Sequence, residues 1–165
     1  MSASVSVGAI DPALRFAAIE LMDSYAELID ADRLEDWLDL FAETSAYRVL
    51  PRENVEQGMP VPLILCTSKD MLRDRITSLR KANEYNLHTG RHLIGGVRLR
   101  RAGDGGLTLN ANYAVFQTDL EGHARLFSVG RYADKLVVDG DRLLIADKTV
   151  IVDNFAVPTL LAVPL

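Results

Sequence analysis

Leu107-Thr108-Leu109-Asn110-Ala111-Asn112-Tyr113-Ala114-Val115 decides the fold class. Leu107, Leu109, Ala111, Tyr113 and Val115 fall on every second position, with Thr108, Asn110 and Asn112 between them. A period of two marks a strand with one face in a core and the other outside it. Upstream, Val97 and Leu99 alternate with Arg98 and Arg100. Downstream, 124–138 and 143–153 are two more strand-like runs. Gly103-Asp104-Gly105-Gly106, Glu121-Gly122 and Asp139-Gly140-Asp141 separate the runs, and each is good turn chemistry. Four long strands joined by short turns predict an antiparallel meander.

Before about residue 90 the period is that of a helix. Asp11-Pro12 predicts a helix start, because Asp accepts from free N–H groups and Pro tolerates the first helical position. Leu14, Ala17, Ala18, Leu21, Met22, Tyr25, Leu28 and Ile29 then form one apolar stripe. Asp32-Arg33-Leu34-Glu35 has the spacing of a capping box opening a second, short helix, Arg33 to about Leu40. A strand is expected over Ala46 to Leu50, stopped by Pro51, and a Pro-rich loop over 51–62. Leu63 to Cys66 is a short apolar run. Ser68 can cap a third helix with Leu72, Ile76 and Leu79 on one side.

Helices first and a long antiparallel sheet afterwards make an α+β layer arrangement. Long twisted sheets curl, and the helices would cover the concave face. The expected shape is a cone with a pocket, the nuclear-transport-factor-2-like (cystatin-like) fold. Residues 1–10 read as a flexible tail and 11–165 as a single domain without repeat or linker.

Composition narrows the function. The 165 residues are 48% hydrophobic and 25% charged, near the average for a globular domain. Lys plus Arg number 18 against 23 Asp plus Glu, a net charge of −5, so no basic field favours nucleic acid. No uncharged apolar run reaches the roughly 20 residues of a membrane span. The first residues carry no basic segment of a secretory signal. One cysteine, Cys66, fits a reducing cytoplasm and cannot supply a Cys₄ site, a CxxC pair or a Rieske cluster.

Candidate chemistry is sparse. His88-x₃-His92 has the spacing of two ligands on a helix, but Gly90 intervenes and the segment runs into a strand. On a strand the two would lie about 13 Å apart, too far to share a metal. His92 is better read as a half-buried strand histidine with a hydrogen bond. Asp74 and Arg75 are adjacent on a helix and point to different sides, which favours ion pairing over catalysis. Arg91-His92 is a candidate partner for Asp74. An enzyme on this fold would need a carboxylate or histidine in an apolar pocket. Tyr25, Asp39, Tyr47, His92 and Tyr113 are possible pocket residues, and no spacing selects among them. An isomerase or dehydratase, or a small-ligand binding module, therefore stays open as an alternative. The segment 154–165 contains no charged side chain. An apolar terminus is expected to dock, on its own domain or on another subunit.

Several stretches resemble one family. They are Tyr47-Arg48-Val49-Leu50-Pro51-Arg52-Glu53-Asn54, Gly58-Met59-Pro60, Met71-Leu72-x-Asp74-Arg75-Ile76-x-x-Leu79-Arg80-x-Ala82-Asn83, Arg91-His92, Phe127-Ser128-x-Gly130-x-Tyr132-x-Asp134-Lys135 and the closing Thr159-Leu160-Leu161-Ala162-Val163-Pro164-Leu165. Together they resemble the small (β) subunit of aromatic-ring-hydroxylating dioxygenases, from about Ala17 to Leu165. The Pro-Arg-Glu-Asn loop and the Asp-Arg-Ile helix are most similar to members acting on anthranilate, salicylate or terephthalate. The resemblance implies the same cone fold, a large α subunit as partner, usually in an α₃β₃ hexamer, and self-association as a trimer. It implies that the large subunit carries the Rieske [2Fe–2S] cluster and mononuclear Fe(II). A separate reductase would deliver electrons from NAD(P)H. It implies no catalytic, cofactor-binding or metal residue in this chain. Arg52, Asp74, Arg75, Arg91, His92, Phe155, Leu160, Leu161 and Leu165 are expected to be structural or interfacial.

Overall fold

The computed structural model describes residues 10–59, 61–81, 87–103, 105–154 and 163–165. The first helix, α1 (Pro12–Asp30), starts as expected, with the Asp11 carboxylate accepting from the Ala13 N–H at 2.9 Å. Ala18, Leu21, Met22, Tyr25 and Ile29 are its buried stripe. A short α2 (Leu34–Trp37) and a 3₁₀ turn (Leu38–Leu40) follow. Then come β1 (Phe41–Pro51), α3 (Arg52–Glu56), β2 (Ile64–Cys66) and α4 (Lys69–Lys81). Ser68 does cap α4, its Oγ accepting from the Met71 N–H at 3.3 Å, and Leu72, Ile76 and Leu79 are the buried side.

The meander is β3 (Thr89–Arg101), β4 (Leu107–Thr118), β5 (Ala124–Asp139) and β6 (Arg142–Val152). All four strands pair antiparallel in sequence order. The six strands form one sheet, ordered β2-β1-β6-β5-β4-β3. One pairing was not legible locally: β1 lies parallel to β6, with Tyr47 opposite Lys148 and Val49 opposite Val150. Register shifts at 95–98, 115–116 and 135–136 interrupt the ladders. Such bulges bend strands and raise their twist. The helices therefore lie on the inner face of a curved sheet, in the α+β arrangement expected.

Three local readings need correction. Asp32 does not cap α2, whose N-cap is Arg33 and has no side-chain cap bond. Asp32 instead ends α1 in the left-handed region, at φ 55°. Its N–H bonds Ile29 O, and the Arg33 N–H bonds Leu28 O at 2.8 Å, the paired bonds of a Schellman ending. Its carboxylate and that of Glu35 are both taken by Arg80 of α4, at 2.7–3.0 Å. Second, β1 starts five residues earlier than expected. The buried Lys69 ammonium donates to Phe41 O and to Glu43, both at 3.0 Å, anchoring this polar half of the strand. Third, the loop 51–62 holds the single-turn helix α3.

Candidate functional site

The interior of the cone is packed with aromatic rings. Tyr113 of β4 and Tyr132 of β5 stack with centroids 4.7 Å apart and planes 6° from parallel. Tyr25 of α1 meets Tyr132 edge-on at 5.8 Å, and Trp37 lies against Tyr25, Phe41 and Tyr47. Within this packing Lys148 of β6 donates to Asp134 of β5 at 2.9 Å, both side chains fully buried. The Lys148 ammonium also lies 3.3 Å from the Tyr132 ring centroid and 4.2 Å from that of Tyr25. Burial pushes the Asp134 carboxyl up and the Lys148 ammonium down, and each partner's charge opposes the other's shift. Burial likewise raises the phenols of Tyr25, Tyr113 and Tyr132, and that of Tyr47 to about 12. None of these tyrosines supplies a phenolate near neutral pH.

The last described residue closes one end of this packing. The Tyr25 hydroxyl donates to Leu165 O at 2.6 Å, and the Leu165 N–H donates to the Tyr47 hydroxyl at 3.1 Å. Beside it, between the end of α1 and the start of β3, lies a cleft of about 260 Å³. Its polar side is a dyad. Asp30 Oδ1 lies 2.6 Å from His92 Nδ1, and Asp30 Oδ2 accepts from the His92 main-chain N–H at 2.9 Å. Both side chains are more than nine-tenths buried, and the exposed Arg91 guanidinium stands 3.9 Å from Asp30. Across the cleft the Gln117 amide donates to His88 Nε2 at 3.1 Å, while its oxygen faces Arg125 at 3.4 Å. Phe127 enters from β5 because of the bulge opposite Val115 and Phe116, which makes Phe127 and Ser128 consecutive buried residues.

The expected residues separate into distinct places. Tyr25, Tyr47 and Tyr113 meet in the cone, whereas Asp39 is exposed on the 3₁₀ turn. Arg91-His92 does not meet Asp74. Its carboxylate partner is Asp30, and Asp74 lies exposed on α4, because the end of α1 rather than α4 packs on β3. His92 is more deeply buried than half. Arg52 bridges Glu56 at 3.8 Å and Asp153 at 3.4 Å, tying α3 to the end of β6. Arg75 lies beside Trp37 and Tyr47. Leu165 is buried, while Phe155, Leu160 and Leu161 lie outside the described residues. Asp30 and Lys148 were not singled out from the sequence, and Asp134 stood only within a stretch that carries the family resemblance. Strand parity could have found two of them, since the alternation that turns Tyr132 inward also turns Asp134, and that of Val150 turns Lys148.

Residues 24–159 match the family described as Ring hydroxylating beta subunit. The chain belongs to this family. It is 40% identical over 150 residues to the anthranilate 1,2-dioxygenase small subunit of Burkholderia cepacia, covering 91% of this chain and 93% of that one. It is 30% identical over 142 residues to the beta 1 subunit of the terminal oxygenase component of terephthalate 1,2-dioxygenase from Comamonas sp., covering 86% and 92%. A crystal structure from Novosphingobium aromaticivorans, of a beta subunit assigned to an aromatic-ring-hydroxylating dioxygenase, superposes with a TM-score of 0.84 at 37% identity. The match covers 93% of this chain and 97% of that one. A protein from the same organism assigned as a scytalone dehydratase shares the fold alone, with a TM-score of 0.66 at 13% identity over 92% of each chain.

The protein is thus a small subunit of an aromatic-ring-hydroxylating dioxygenase, and beta subunits of such complexes partner with an alpha subunit. The single cysteine of this beta subunit does not fit a Rieske cluster. A Rieske cluster needs two cysteines and two histidines. The chain has one cysteine, buried, with its thiol pushed up by desolvation. Among the described residues no three His, Cys, Asp or Glu side chains group as a metal site, and no helix is long and apolar enough to cross a membrane.

Proposed function

We propose that this chain is a non-catalytic assembly subunit of a cytoplasmic Rieske oxygenase acting on an aromatic acid. Its role is to hold large subunits, which carry the [2Fe–2S] cluster and the mononuclear Fe(II), in an α₃β₃ ring around a β₃ base. Electrons reach that ring from NAD(P)H through a reductase. The relatives acting on anthranilate and terephthalate support the aromatic-acid class. The observation that carries the assembly role is the outer face of the sheet. Leu93, Phe116 and Leu126 are 57%, 37% and 53% exposed. Phe116 lies directly opposite Leu126, and Leu93 is two residues from Arg91, the other residue opposite Phe116. An apolar patch on the outside of a sheet is a surface for a protein partner. On this reading 11–165 fold as one domain, 154–165 dock at a subunit boundary, and Arg52, Asp74, Arg75, Arg91, Phe155, Leu160, Leu161 and Leu165 have structural or interfacial roles.

The test is co-expression with the large subunit. The parent should co-elute with it as one brown complex. Leu93→Asp/Phe116→Asp, at exposed positions that leave the core intact, should release this chain while its own melting is unchanged. A doubly substituted chain that co-purifies in full amount, with full oxygenase activity, would refute the assignment of this face.

A further inference from the structure

The outer face of β3, β4 and β5 carries no carboxylate. In 91–100, 108–118 and 126–135 the only acidic side chain is Asp134, which is buried and points inward. In a chain of net charge −5 this face is a local reversal of sign. It has two halves along the strands. Leu93, Phe116 and Leu126 form the apolar half. Arg98, Arg100, Arg131 and Lys135, all exposed, form the other. Leu99 pairs with Leu109 on the buried side, so Arg98 and Arg100 point outward, opposite Asn110 and Thr108. Arg131 lies opposite Asn112, and Lys135 opposite Thr108. The half-buried Ala114 and Val129, opposite one another, join the two halves.

None of these four cations makes an ion pair or a side-chain hydrogen bond with a described residue, whereas Arg33, Arg48, Arg52, Arg73 and Arg80 each have a carboxylate partner. Asp147 stands opposite Lys135, but Arg48 takes it at 3.1 Å. With strands about 5 Å apart, each of the four lies within roughly a Debye length of the next at physiological salt, so they repel one another. A carboxylate-bearing surface relieves that repulsion. The apolar half is also too small to act alone. Three side chains do not cover the roughly 800 Å² that a stable interface buries on each partner. The surface that continues it on the same face is the basic half.

We propose that the interface with the large subunit runs over both halves, and that the large-subunit surface covering Arg98, Arg100, Arg131 and Lys135 is rich in carboxylates. The inference rests on the assembly reading of this face and adds the chemistry of the surface it meets. Charge complementarity of this kind speeds encounter and fixes the register of docking, and its effect falls with salt.

The test is sedimentation of the co-expressed complex in a dilution series at about 20 and 500 mM KCl. The apparent dissociation constant should rise at least about tenfold between the two, because salt screens charge pairs and leaves apolar contacts in place. Arg98→Glu/Arg131→Glu should raise it at least about tenfold already at low salt, with the melting of the chain itself unchanged. Arg98→Lys/Arg131→Lys keeps the charge and should assemble within about threefold of the parent. A Glu variant that assembles as tightly as the parent, a complex indifferent to salt, or a Lys variant as impaired as the Glu variant would each overturn the proposal. So would a parent chain that binds phosphatidylglycerol vesicles when the Glu variant loses them yet still assembles, which would assign the basic half to a lipid surface. The salt series on the parent decides the matter if the Glu variant does not fold. Failure here is separable from failure of the assembly reading, because Leu93→Asp/Phe116→Asp releases the chain if this face is the interface, whatever charge its partner carries.

Discussion

Lys148→Met removes an ammonium that donates to Asp134 at 2.9 Å and lies 3.3 Å from the Tyr132 ring centroid. A hydrogen bond to a charged group contributes about 1.5–3 kcal/mol. A desolvated cation over an aromatic face adds about 2 kcal/mol. Asp134 would stay behind, buried, with Oδ1 already lacking a partner among the described residues. The expected loss at neutral pH is about 3–5 kcal/mol. Protonation of the stranded carboxyl limits it. Burial already raises the Asp134 carboxyl, and Lys148 is what opposes that rise. Without Lys148 the folded state binds a proton more tightly than the unfolded one. That contribution is present below the unfolded carboxyl value and lost as pH rises through the higher folded value, so the deficit should be smaller near pH 5 than near pH 8. The double variant Lys148→Met/Asp134→Leu replaces the pair with apolar groups beside Met22, whose sulfur is 4.0 Å from the ammonium. It should unfold within about 1 kcal/mol of the parent, or above it. Urea unfolding of the four proteins of the cycle at both pH values measures this. A single variant within about 1 kcal/mol of the parent, or a double variant as unstable as the two singles summed, refutes the reasoning.

A Cβ at Gly130 would overlap the Ile151 carbonyl oxygen and come within 3.1 Å of Tyr113 Cε1, so Gly130→Ala should cost about 3 kcal/mol by the same assay. Arg80→Met cuts the fork that ties α4 to Asp32 and Glu35, and should cost about 1 kcal/mol at neutral pH, as a partly exposed network does. Arg80 holds the Glu35 carboxyl below its ordinary value. That stability is present above the ordinary value and lost as pH falls through the depressed one, so parent and variant should converge as pH falls below the ordinary carboxylate range in a pH series of unfolding curves.

What was legible in the sequence was what local periodicity encodes. The alternation from Leu107 to Val115 and the stripe from Ala18 to Ile29 each lie within one element, and each is a buried face of the structure. What was illegible depended on distant partners. Asp32 and Glu35 have capping-box spacing, yet the residue that claims both, Arg80, lies 48 and 45 positions away. The same acidic types serve at either end of a helix, so spacing alone could not separate a start from an ending. Asp30 is the last residue of α1, and its role is set by His92, 62 positions on. Asp134 and Lys148 sat on the inward parity of their strands, but a charge on that parity reads as an interruption until its partner across the ladder is known. The early start of β1 was hidden for a similar reason, since Glu43-Thr44-Ser45 is polar and needs Lys69 to hold it.

The cleft and the outer face of the sheet follow from the parity of the same three strands. On β3 the cleft residue His92 precedes the outer-face residue Leu93, and on β4 Val115 precedes Phe116. On β5 regular alternation from Tyr132 and Ser128 would turn Leu126 inward and Phe127 outward. The bulge opposite Val115 and Phe116 reverses this, sending Phe127 to the cleft and Leu126 to the outer face opposite Phe116. One extra residue therefore completes both surfaces at once, which explains a break in an otherwise continuous ladder. A slip by one residue would exchange the two sets on a strand and spoil both. The cone itself needs no ligand to be solid, because Tyr25, Tyr113, Tyr132 and the Asp134–Lys148 pair fill the space the fold encloses. A large partner can cover the outer face of the same sheet while the cleft lies on the inner one.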